Sequence, residues 1–128
     1  MNSETHSYSG KIDFETYLKS EDESVGTMPV QAGILNPFGT IHAGAMIWFA
    51  DVVATTLALQ GVKPEAGMTG FPLAINLSAN LVSNCKNGII FAQSTYIKKG
   101  RRVSTIRTTV RSDQGKLLLD MVTSHVSS

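Results

Sequence analysis

Hydrophobic and polar positions change their period twice along the chain. Residues 1–24 are polar and rich in charge, which predicts a polar N-terminal segment with a short peripheral helix near residues 14–19. A brief extended run follows at 26–31, where Pro29 favours a sheet edge or a bulge. The stretch GILNPFGTIHAG reads as a loop, because Gly33, Pro37, Gly39 and Gly44 interrupt it. From residue 43 to residue 60 the pattern is helical and ends at Gly61, with Pro64 soon after. Met46, Ile47, Phe49, Ala50, Val53, Ala54, Leu57 and Ala58 cover nearly its whole circumference, so this helix is predicted to be buried.

From residue 73 the period falls to two. Leu73, Ile75, Leu77, Ala79 and Leu81 share one face, with Asn76, Ser78 and Asn80 on the other, as in a half-buried strand. Further strands are predicted at 89–98, 102–111 and 116–126, separated by Lys99-Gly100 and by Ser112-Asp113-Gln114-Gly115. Connections this short make neighbouring strands antiparallel. The order is strand, long helix, four strands. An α+β domain over residues 25–128 satisfies it, with a curved antiparallel sheet wrapped around one long central helix. Its unpaired edge strands invite a second subunit.

Composition narrows the class. With 128 residues the chain fits one domain, and 42% hydrophobic against 16% charged residues excludes an extended disordered protein. A net charge of +1 gives no overall basis for nucleic-acid binding. The charge is unevenly spread: Lys98, Lys99, Arg101, Arg102, Arg107 and Arg111 crowd the region from 98 to 111. The single Cys85 excludes an internal disulfide and a cysteine-based zinc cluster, and His6, His42 and His125 lack ligand spacing, so no metal is expected. A reducing cytoplasm is the simplest compartment. The first twenty residues lack the apolar core of a secretory signal, and Asp51 interrupts the only long apolar stretch, so no membrane span is expected.

Asp51 is the only charged group of the predicted helix, where desolvation penalises a carboxylate unless donors compensate. It reads either as a functional acid or as a structural one on a wetted or intersubunit strip. Thr55, one turn later, is within hydrogen-bonding range of it, or bonds back to its own helix. Asn36 and His42 stand in the preceding loop, and free N–H groups at the helix start suit an oxyanion. Together these features suit attack on a carbonyl better than metal chemistry. The KKGRR run at 98–102 reads as a solvated hairpin turn or as a phosphate contact. No GxGxxG, P-loop or GxSxG pattern is present.

The segment NPFGTIHAGAMIWFADVVATT resembles the loop and central helix of PaaI-type acyl-CoA thioesterases of the hotdog fold. The likeness continues through Ile75-Asn76-Leu77, Gly100-Arg101 and the last strand. It implies a homodimer or homotetramer in the cytoplasm that hydrolyses an acyl-CoA to the free acid and coenzyme A without a cofactor. The site would lie between subunits, with Asn36, His42 and the amides of Ala43 and Gly44 facing Asp51 and Thr55. Asp51 would be general base or nucleophile, the Ala43 amide, assisted by that of Gly44, would polarise the carbonyl, and Asn36 would position water or substrate. His42 would organise the loop, Thr55 would assist the carboxylate, and Arg101 and Arg102 would contact the coenzyme A nucleotide. Ala43 departs from the family's His-Gly-Gly pattern and would be strained if that position required positive φ. Two other functions share this fold: a non-catalytic acyl-CoA-binding regulatory module, and an enoyl-CoA hydratase or dehydratase.

Overall fold

The computed structural model describes residues 5–127. In chain order the elements are β1 (Glu15–Ser20), β2 (Glu23–Pro29), a 3-10 turn (Ala32–Ile34), α1 (Ala43–Leu59), β3 (Pro72–Leu81), β4 (Ile89–Lys98), β5 (Val103–Ser112) and β6 (Leu117–Ser127). The six strands form one antiparallel sheet in the order β1-β2-β4-β5-β6-β3. Because β3 follows the helix yet pairs with β6, the helix connection carries the chain from the β2 side across the inner face to the opposite edge.

Burial of the helix against that face makes the core. Met46, Phe49, Ala50 and Val53 pack in one cluster with Met28, Ile90, Val110, Leu119 and Met121, while Ala54 and Leu57 meet Ile106 farther along. Contact is closest at Gly26, where an added Cβ would stand 2.5 Å from a Val53 methyl and 3.0 Å from the Phe49 ring. Gly26→Ala is therefore expected to lower stability by about 1–3 kcal/mol through overpacking. Denaturant unfolding checks this; an unchanged midpoint would show that α1 can shift away from β2.

The segment 14–19, expected as a short helix, is a strand from Glu15 on: Thr16 and Leu18 turn inward while Glu15, Tyr17 and Lys19 face water. The sheet thus begins before residue 25. Polar residues are suited to an outermost strand, and here they hid its two-residue alternation. The helix, expected to be buried all round, leaves a stripe incompletely covered through Gly44, Trp48, Asp51, Thr55 and Leu59, with Trp48 at 47% exposure. Strand β3 also departs from expectation. Its pairing with β6 is irregular between Ala74 and Asn76, and Leu73, Ile75, Leu77 and Leu81 stay exposed on this outer edge.

Candidate active site at the helix and the free sheet edge

The incompletely covered stripe of α1 and the start of β3 enclose a cleft of about 680 Å³. Asp51, Thr55 and Leu59 enter it from the helix, Thr16 and Leu18 from β1, and Phe71, Leu73 and Ala74 from the free edge. Asp51 is the one ionisable side chain in this lining. Its Oδ1 is buried and is the one such side-chain atom without a hydrogen-bond partner among the described residues. Burial raises the Asp51 carboxyl above the usual carboxylate range, and the positive form of His125 partly opposes that rise. The expected bond to Thr55 does not form. Side chains one helical turn apart start about 5–6 Å from each other, too far for two short ones that both point into the cleft.

Other hydroxyls are already engaged. Thr56 Oγ1 donates to the Val52 carbonyl at 2.8 Å and lies 2.8 Å from Thr16 Oγ1, so Thr16 is the donor in that second bond. Nothing in the sequence pattern joined these two threonines, which come from elements 40 positions apart.

At the other end of α1 the backbone is arranged for a single donor. His42 is the N-cap, with φ −63° and ψ 132°, and its Nδ1 accepts from the Gly44 N–H at 2.9 Å. That bond leaves the neutral imidazole with its proton on Nε2. The Gly44 amide, expected to assist in carbonyl binding, is thereby committed to His42. The N–H groups of Ala45 and Met46 both turn back to the His42 carbonyl. Ala43 N–H is thus the first-turn amide without a partner among the described residues. Ala43 does not have positive φ, so its methyl group brings no backbone strain. A Cβ at Gly44 would stand 3.2 Å from the His42 ring, which would have to shift by a few tenths of an ångström to admit it.

Asn36 builds the loop rather than pointing away from it. Its Oδ1 accepts from the Phe38 and Thr40 amides, and its Nδ2 donates to Thr40 Oγ1 at 2.7 Å. Those bonds occupy the groups expected to hold water or substrate. A residue not anticipated from sequence, Asn84, clamps the loop to the β3–β4 connection. Its Oδ1 accepts from Ile41 N–H at 3.0 Å, and its Nδ2 donates to the Ile41 carbonyl at 2.8 Å.

Register locates the basic turn. Across β6, Val126 pairs with Leu73 of the cleft on one side and with Val103 on the other. Arg101 and Arg102, both exposed, immediately precede Val103 and so lie at the cleft end of the sheet. No cluster of His, Cys, Asp and Glu suited to a metal occurs among the described residues. No helix among them is long and apolar enough to cross a membrane.

This order of strands around a single long helix is the hotdog fold. A Haemophilus influenzae thioesterase superposes over 90% of this chain and 78% of its own, with TM-score 0.79 and 21% identity. A Staphylococcus aureus thioesterase gives TM-score 0.81 at 20% identity, over 90% of this chain and 93% of its own. A Streptococcus pneumoniae protein, described as a hypothetical thioesterase with coenzyme A, gives 0.80 at 14% identity over 96% and 94%. In sequence, the chain is 28% identical over 100 residues to a Haemophilus influenzae protein provisionally named an esterase, and 25% over 91 residues to a Pasteurella multocida protein named likewise. These alignments cover 76% and 71% of this chain, and it spans 67% and 63% of those relatives' lengths. No family model matches the sequence. The chain is a hotdog-fold protein whose structural neighbours are thioesterases.

Proposed function

We propose that the chain is an acyl-CoA thioesterase whose active site is completed by a second copy. The observation that carries this reading is the desolvated, unpartnered carboxylate oxygen of Asp51 in an apolar cleft, within a fold shared with thioesterases. The need for a second copy follows from helix geometry. At 1.5 Å per residue, Ala43 and Asp51 are about 12 Å apart along one helix, whereas base and oxyanion donor must each stand about 3 Å from the reacting atoms. The exposed edge of β3, beside the incompletely covered helix stripe, supplies the surface for pairing. Two copies joined there set the Ala43 amide of one opposite Asp51 of the other.

In such a site the thioester carbonyl accepts from Ala43 N–H, and the His42 Nε2–H stands beside it as a second donor. Asp51 then takes a proton from water as the water oxygen bonds to the carbonyl carbon. Collapse of the tetrahedral intermediate breaks the C–S bond, and the thiolate recovers the proton. The alternative route has the Asp51 oxygen attack the carbon directly, releasing the thiolate and leaving an anhydride for water to cleave. Thr55 borders the carboxylate side, and Asn36 acts through the shape of its loop. The Streptococcus pneumoniae neighbour, described with coenzyme A, supports a nucleotide-bearing substrate.

Thiol release from aliphatic and aromatic acyl-CoAs tests the proposal. Saturable binding without thiol would make the chain a binding module, and a changed enoyl absorbance with the thioester intact would make it a hydratase. For the basic turn, replacing Arg101 and Arg102 by Gln is expected to raise KM and flatten its salt dependence while kcat holds. A KM unchanged at low and high salt would remove both from phosphate binding.

A further inference from the structure

One buried ionisable group has no part in this mechanism. His125 lies on the inner face of β6 in a buried row with Leu119, Met121 and Thr123, and is 2% exposed. Two bonds fix its ring. Nδ1 stands 3.4 Å from the Pro72 carbonyl, which can only accept, so Nδ1 carries the proton. Nε2 is therefore the acceptor for the Thr123 hydroxyl at 2.8 Å. Pro72 belongs to the cleft lining, as does Ala74, the residue paired with His125 across the β3–β6 ladder. His125 thus stands directly behind the cleft wall that faces Asp51.

We propose that His125 is a positioning residue for the Asp51 carboxylate: the two stand on either side of the Pro72–Ala74 wall, and the imidazole, when protonated, favours the charged state in which Asp51 works. The unpartnered Oδ1 of Asp51 makes its charge depend on its surroundings rather than on a fixed donor. No other ionisable side chain lines the cleft from β1, from the segment after α1 or from β3. In the completed site, His42 of the second copy is the only further one that the mechanism brings near. Burial lowers the His125 imidazole, which the Pro72 hydrogen bond and then the Asp51 charge oppose, and burial raises the Asp51 carboxyl, which the His125 charge opposes.

The role in catalysis rests on the thioesterase reading; the coupling itself does not, and it is measured first. Histidine ring signals are followed by NMR against pH in the wild type and in Asp51→Asn, with His125 assigned from His125→Gln. The His125 midpoint is expected to move to lower pH in Asp51→Asn. An unmoved His125 midpoint would overturn the pair. Should Asp51→Asn not fold, the Asp51 carboxyl carbon is followed instead, and it must titrate at higher pH in His125→Gln than in the wild type. In the thiol-release assay, the acid limb of kcat/KM for His125→Gln is expected at higher pH than in the wild type. A limb that stays put, with kcat merely lowered, would reduce His125 to a packing residue. Coupled titrations in a chain that hydrolyses no thioester would remove the thioesterase reading and leave the pair standing.

Discussion

Asp51→Asn is expected to lower thioester turnover by about 10² to 10⁴, the usual contribution of a positioned general base, without loss of the fold. The amide has nearly the carboxylate's shape, so the apolar lining given by Leu18, Leu59, Phe71 and Leu73 remains filled. A neutral side chain is also cheaper to bury than a charged one, and Oδ1 makes no hydrogen bond that the change would break. Unfolding midpoints should therefore match or exceed those of the wild type. Because burial raises the Asp51 carboxyl, the wild-type rate should fall on acidification at a pH above that of an ordinary carboxyl, where the base becomes protonated. Thiol release across pH, read beside circular dichroism, checks both statements. Unchanged hydrolysis in a folded variant would take Asp51 out of the mechanism.

Ala43→Pro removes the proposed oxyanion donor and little else. Position 43 opens α1 directly after its N-cap, where proline is well tolerated because its missing N–H has no helical partner. The residue before a proline must be extended, and His42 already is, with ψ 132°. Loss of a single preorganised donor costs about 10² to 10³ in kcat. Coenzyme A itself, which lacks the acyl carbonyl, should bind this variant as it binds the wild type. Full kcat in Ala43→Pro would show that another group holds the carbonyl oxygen.

Local pattern revealed the inner architecture and missed what distance brings together. The helix from residue 43 and the strand Ile89–Lys98 were legible because glycine-containing turns punctuate strong periodicity. Strand β1 was not, since an edge strand carries polar residues and its alternation rests on Thr16 and Leu18 alone. The asymmetry of α1 was hidden because its incompletely covered stripe carries the large apolar Trp48 and Leu59 on either side of Asp51 and Thr55. In the site, Asp51 announced itself as a lone charge among apolar neighbours. His125 did not: it reads as an ordinary strand residue until β6 brings it behind Ala74. The commitments of Asn36 and Gly44 were equally invisible, because they depend on which lone pair or N–H each loop residue uses.

Division of the site between two chains is tested most directly by mixing. Asp51→Asn and Ala43→Pro chains, each nearly inactive alone, are co-expressed with different tags and the mixed oligomer is isolated. In a two-fold assembly one of the two sites of each mixed dimer joins an intact Asp51 to an intact Ala43 amide, so the isolated mixed oligomer should recover about half of wild-type activity. Activity no higher than the sum of the two single variants would mean that carboxylate and amide serve the same chain, and would contradict the shared site.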